Sequence, residues 1–406
     1  MRSVRFVTGV LALLLFCVGS AVGADSTVSI EALTLRCEYR RNPRGIDEPQ
    51  PRLSWQVASN ERGQRQTACQ ILVASSPEDL ARDVGDLWDT GKVESDETVN
   101  VPYAGKALAS RQVCHWKVRV WDKDGDASSW SEPALWSMGL LEPTDWQARY
   151  ISYRDETPVY KESESLFLPA ARQYRKEFQA TKTVRRATIY ATALGIYELH
   201  LNGRRINDAF FAPGWTDYRQ RAYYNTYDVT EMVRSGENAL GAWVADGWYG
   251  GYVGFGLLTG IGTEGIGRYT YGKTPALMAQ LEIEYTDGSH EVVATDASWK
   301  VSGDGPIREA DFLMGESYDA RLETPGWSNP GYDDDKWEQA ILAEENGSVP
   351  AQFIEFRNPS PGEPVKRDSR EVDLGFHAPP KLEAFPGVPV KPIEEIEPIG
   401  VTSPEP

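Results

Sequence analysis

From about Leu33 to Leu141, apolar and polar residues alternate in short runs separated by turn residues. In the run Val113 to Trp121, Cys114, Trp116, Val118 and Val120 share one face, while His115, Lys117 and Arg119 share the other. A period of two with one apolar face predicts a half-buried antiparallel strand. Cys69 to Ala74 reads as a second strand, and Asp124-Gly125 as a turn closing the run that ends at Trp121. The pattern predicts a β-sandwich over residues 27–141.

Glu142-Pro143-Thr144-Asp145-Trp146 opens a second unit, 142–345, rich in Gly, Trp and Tyr and nearly without helical periodicity. Tyr197, Leu199 and Leu201 alternate with Glu198, His200 and Asn202. Asn202-Gly203 then supplies the pair best suited to a two-residue turn at positive φ. Leu281, Ile283 and Tyr285 alternate likewise ahead of the turn Thr286-Asp287-Gly288-Ser289. Such hairpins build sandwiches and jelly rolls. Residues 346–406 turn Pro-rich and acidic, with prolines from Pro386 to Pro406 that predict an extended linker or edge segment. The fold class expected is all-β.

The N-terminus changes the picture of where the chain works. Arg2 and Arg5, the apolar run Phe6 to Val18 and the small residues Ala21 to Ala24 have the order of a secretory leader, residues 1–24, so export is expected. The run is shorter than the roughly 20 residues a bilayer needs, and Cys17 follows the bulky Phe16, which disfavours a lipid anchor. Losing the leader removes two cations and no acid, taking the net charge from −18 to about −20. Nucleic acid and anionic membranes, which need basic surfaces, are excluded as partners. Cys37, Cys69 and Cys114 follow the leader without any C-x-x-C spacing. Two readings stay open: a Cys69–Cys114 bridge, or three buried free thiols.

Familiar catalytic patterns fail on context. Gly260-Ile261-Gly262-Thr263-Glu264-Gly265 matches a dinucleotide fingerprint but no helix-forming stretch follows it. Asp122, Asp124 and Asp126 lack the Gly and Glu spacing of a calcium loop and read as a solvated turn, as does Asp333-Asp334-Asp335. His115, His200, His290 and His377 are isolated, so no metal site is expected, and no G-x-S-x-G occurs. What remains is aromatic density beside acids: Trp215, Asp217 and Tyr218 in one cluster, Asp246, Trp248 and Tyr249 in another. Sugar C–H faces pack on rings and sugar hydroxyls suit carboxylates, so these six are the carbohydrate-binding candidates. Core packing is the competing reading for the rings.

The same stretches carry a family resemblance. Leu201-Asn202-Gly203-Arg204-Arg205, Ala212-Pro213-Gly214-Trp215-Thr216-Asp217-Tyr218, Tyr227-Asp228-Val229-Thr230 and Gly236-Glu237-Asn238-Ala239-Leu240 occur in order. Asp246-Gly247-Trp248-Tyr249, the run Gly315 to Arg321 and Pro325-Gly326-Trp327 follow. Together they resemble the N-terminal portion of bacterial α-L-rhamnosidases of glycoside hydrolase family 78. The resemblance implies a fibronectin type III-like module, then a jelly-roll module, then a Pro-rich lead into a further sandwich and an (α/α)6 barrel. That barrel removes terminal rhamnose with inversion, and its acid motif, Asp-x-x-x-Arg-x-Glu-Arg-x-Gly-Trp, does not occur here.

Three readings follow. The chain is a non-catalytic portion that retains binding of a rhamnose-containing glycan, with no cofactor beyond the calcium some family members use in a sugar site. Alternatively, jelly-roll carboxylates such as Asp246 and Glu316 act as base and acid. Or the modules are a structural spacer for a separately encoded catalytic partner, or a relic.

Overall fold

The computed structural model describes residues 30–157, 159, 168–253, 268–357 and 366–400, with backbone alone for 352–357 and 366–370. The leader, the Gly260 to Gly265 stretch, Pro404 and Pro406 lie outside the described residues.

The first unit runs β1 (Glu31–Cys37), β2 (Arg52–Ala58), β3 (Ala68–Ala74), a short helix α1 (Pro77–Ala81), β4 (Trp88–Asp89), β5 (Val93–Glu94), β6 (Val101–Pro102), β7 (Val113–Trp121) and β8 (Ala134–Ser137). One sheet has the order β1-β2-β6, the other β4-β3-β7-β8 with β5 also on β3. As the alternation predicts, Cys114, Trp116, Val118 and Val120 are fully buried between them. Trp116 and Trp136 meet edge to face at 6.4 Å, a geometry that adds to the area each ring buries. The Ser128 and Ser131 hydroxyls accept from Val120 N (3.0 Å) and Val118 N (3.1 Å), completing that edge of β7.

The opposite face of β7 is less wet than its sequence suggests. Lys117 is buried, because α1 and Trp130 cover it; its Nζ donates to Leu80 O at 2.7 Å, pairs with Asp83 and lies 5.0 Å from the Trp130 ring. The three cysteines are buried and free. Cys69 pairs with Val120, whereas Cys114 lies just past the His115 end of the ladder. Six residues of strand separate those positions, about 20 Å at 3.3 Å each. A disulfide needs Cα atoms within about 7 Å, so the Cys69–Cys114 bridge is corrected to free thiols.

The second unit continues with β9 (Ile151–Ser152), β10 (Arg172–Ala180), β11 (Val184–Leu194), β12 (Ile196–Leu201), β13 (Arg204–Arg205), β14 (Ala222–Asp228), β15 (Gly236–Ala245) and the single turn α2 (Gly247–Gly250). Then come β16 (Ala276–Tyr285), β17 (His290–Ala294), β18 (Lys300–Ser302), β19 (Ile307–Asp311), β20 (Gly315–Tyr318), β21 (Glu338–Gln339) and β22 (Ile341–Leu342). Its two main sheets, β13-β12-β15-β10-β18-β21 and β22-β9-β16-β11-β14, the latter extended at β14 by a later strand over Leu382–Ala384, close one core. Leu199, Leu240 and Val244 come from the first, Ile189, Leu281 and Ile283 from the second.

Asn202 (φ 53°) and Gly203 (φ 78°) both take the left-handed region, forming the two-residue turn between β12 and β13. Asn202 does more than turn the chain. Its buried amide donates to Met232 O (2.9 Å) and Asn238 Oδ1 (2.8 Å) and its Oδ1 accepts from Ala239 N (2.9 Å), so two of the family stretches brace each other.

The Asp333-Asp334-Asp335 run is not simply a solvated turn. Asp334 pairs with Arg175, whose side chain is 2% exposed and also donates to Trp327 O at 2.9 Å. A buried guanidinium needs a countercharge, and Asp334 supplies it.

After β22 come the hairpin β23 (Pro350–Arg357) and β24 (Lys366–Asp373), then β25 (Leu382–Ala384). β25, which has prolines on both sides but none within it, joins β14 in parallel at the edge of its sheet. Beyond it, Phe210 N donates to Val390 O at 2.9 Å and Lys391 pairs with Asp208 at 2.6 Å.

Candidate functional site

The loop between β13 and β14 carries the first three candidates and α2 the second three. The structure divides them. Tyr218 and Tyr249 are core residues, packed edge to face at 5.4 Å, and burial pushes both phenols above their ordinary pKa. Asp246 pairs with Arg268, and both side chains are 2% exposed. A carboxylate sealed under a guanidinium is not placed to meet a sugar. Asp217 is half-exposed and occupied locally, accepting from Arg219 Nε at 2.9 Å.

Trp215 and Trp248 are different. Trp215 is 54% exposed, so its ring is not core. Trp248 is half-buried, with the rings of Phe312 and Phe211 at 5.0 and 6.2 Å. Both line a cleft of about 880 Å³ between the loops of the two units. Phe210, Phe211, Phe312 and Phe385 add to its aromatic surface, and Arg36 and residues 39–45 of the first unit also line it.

Local chain geometry fixes the loop. Gly214 has φ 107° and lies against Phe385, where a Cβ would sit 2.6 Å from the ring. Phe211 has φ 59°, a conformation a bulky residue adopts only when its surroundings hold it there. Strain of this kind concentrates where function demands it. Sequence reasoning missed Phe210, Phe211, Phe312 and Phe385. The adjacent pair Phe210-Phe211, directly ahead of Ala212-Pro213-Gly214, was the available signal.

The alternative acid and base pair gains no support from the fold. Asp246 is buried with Arg268, and Glu316 is exposed on the separate β19–β20 hairpin. Among the described residues, no aspartate or glutamate lines the cleft. Asp122 Oδ1 accepts from Asp124 N and Asp126 N, each at 2.9 Å, the pattern of a turn closed on itself. Among the described residues, no three His, Cys, Asp or Glu side chains gather as a metal-binding group.

Residues 182–359 match the α-L-rhamnosidase N-terminal domain, and residues 32–142 match the Rha78A-like N-terminal immunoglobulin domain. The chain belongs to the α-L-rhamnosidase family. An α-L-rhamnosidase of Streptomyces avermitilis is 33% identical over 477 aligned residues, covering 78% of this chain and 45% of the relative. One from an Alteromonas species is 39% identical over 339 residues, covering 82% and 35%. The crystal structure of the Streptomyces avermitilis enzyme complexed with L-rhamnose superposes with a TM-score of 0.70 at 31% identity, over 82% of this chain and 48% of that one. The rhamnosidase of Dictyoglumus thermophilum gives 0.68 at 35% identity, over 82% and 38%. The chain therefore spans less than half the length of these rhamnosidases. Its first module, expected to be fibronectin-like, matches an immunoglobulin-type domain; the two share the sandwich architecture.

Proposed function

We propose that this chain is the N-terminal accessory portion of an exported α-L-rhamnosidase and that it holds a rhamnose-containing glycan without cleaving it. The observation that carries the reading is the open aromatic cleft, with no carboxylate on its wall among the described residues. Rings exposed beside a cleft suit the C–H faces of sugars. Inverting hydrolysis, in contrast, requires two carboxyl groups roughly 6.5 to 9.5 Å apart. On this reading hydrolysis belongs to a catalytic barrel, the partner of these modules, and Trp215 and Trp248 contribute binding.

The test is calorimetry of residues 25–406 with L-rhamnose, with and without calcium, beside nitrophenol release from an aryl α-L-rhamnoside. Heat of binding without release is expected. Turnover by this chain would overturn the non-catalytic reading. A calcium requirement for binding would place the sugar at a site other than the acid-free cleft.

A further inference from the structure

We infer that the cleft is specific for an anionic glycan, one whose sugars carry carboxylates; this rests on the glycan-holding reading above and names the ligand class. The chain as a whole is acidic, with 60 acidic against 42 basic residues. The cleft reverses that balance. Arg36, Arg40, Arg41, Arg44 and Lys391 line it, and among the described residues no Asp or Glu does.

Two of these cations are already neutralised from outside the wall, Arg44 by Asp228 at 3.2 Å and Lys391 by Asp208 at 2.6 Å. The other three donate to neutral oxygens: Arg36 to Tyr39 O (3.2 Å), Arg40 to Phe385 O (3.1 Å) and Arg41 to Thr34 Oγ1 (3.4 Å). Among the described residues none of the three has a carboxylate within ion-pair distance. Burial holds the Arg40 guanidinium below its ordinary pKa, a penalty that an adjoining anion would offset. Its Nε is buried without an acceptor among the described residues.

A neutral sugar would stack on the rings and offer these guanidinium groups only single, uncharged hydroxyl acceptors. A uronic acid uses both: its ring face stacks on the aromatic surface while its carboxylate takes the fork of an arginine, the geometry guanidinium matches best. Electrostatic focusing by a low-dielectric cleft also lets one positive site attract an anion to an otherwise acidic protein. The first unit supplies the four arginines and the rest of the chain most of the rings, so the site exists only where the two meet.

The experiment compares a four-residue oligosaccharide of alternating rhamnose and galacturonic acid with its methyl ester, which has the same rings and no charge. By calorimetry the acid should bind about ten-fold more tightly than the ester, with an advantage that shrinks as salt rises. Arg36→Gln with Arg41→Gln, both exposed positions, should abolish that advantage. If acid and ester bind alike, or the double variant keeps the preference, the charge assignment falls while the glycan-holding reading stands. If neither binds, both fall. Equal or tighter binding of a glutamate oligopeptide of the same charge would assign the cleft to a protein partner and overturn the proposal.

Discussion

The phenol of Tyr224, on β14, donates to the carboxylate of Asp47, in the loop after β1, and ties the second unit to the first. The same oxygen accepts from Leu140 N at 3.0 Å, and the second oxygen of Asp47 accepts from Ala384 N. Four segments distant in sequence converge on one hydrogen-bonded group. Tyr224→Phe removes the donor and keeps the ring, leaving Asp47 and the Leu140 N–H short of a partner. Unfolding free energy should fall by about 1–3 kcal/mol, measured by urea denaturation. An unchanged midpoint would mean that water replaces the hydroxyl at no cost.

Asp47 also gives this junction a pH dependence. Burial raises its carboxyl above the ordinary 3.8, outweighing the hydrogen bonds from Tyr224 and Ala384. The folded state therefore keeps a proton that the unfolded chain has released. Stability from this group is greatest below pH 3.8 and declines as pH rises from there through the folded-state value. Asp47→Asn should lack that decline, so wild-type stability minus variant stability should fall across this window in paired urea titrations. A difference that rises with pH would contradict the assignment.

Trp215 and Tyr249 separate the binding surface from the core. Trp215→Ala, at an exposed ring, should change stability by less than about 0.5 kcal/mol yet weaken glycan binding. Tyr249→Ala, at a ring 2% exposed, should cost about 3–5 kcal/mol by opening a cavity. Calorimetric unfolding and sugar titration of the two variants distinguish the roles.

Asp246→Asn tests whether that acid serves chemistry or architecture. With its partner Arg268 equally buried, losing the carboxylate should destabilise the fold by about 3 kcal/mol. A variant of unchanged stability that had lost turnover or binding would reinstate Asp246 as a site residue.

Burial raises the thiols of Cys37, Cys69 and Cys114, the last to about 12. Thiolate is the reactive form, so a thiol reagent should label none of the three in native protein from residue 25 onward and all three in guanidinium. Failure to label Cys69 and Cys114 after unfolding without reductant would restore the bridge.

Strands were readable where one face meets a core and the other meets water. The Val113–Trp121 alternation and the Asn202-Gly203 turn appear in the fold as expected because each depends on residues adjacent in sequence. β3 was harder: all seven of its residues are buried, so nothing in it alternates in exposure. Aromatic clusters marked the right loops but could not tell Trp215 from Tyr218, three residues apart and on opposite sides of the surface.

The amino-acid sequence by itself determined the all-β class, the Asn202-Gly203 turn and the family, since these follow from local periodicity, turn chemistry and short ordered motifs. Tertiary structure alone decided which acids are spent on buried arginines, as Asp246 is on Arg268 and Asp334 on Arg175. It alone assembled a cleft from Arg36, Phe211, Trp248 and Phe385. The physical reason is distance along the chain: burial and charge pairing depend on what folds against a residue, and here those neighbours lie tens to hundreds of positions away.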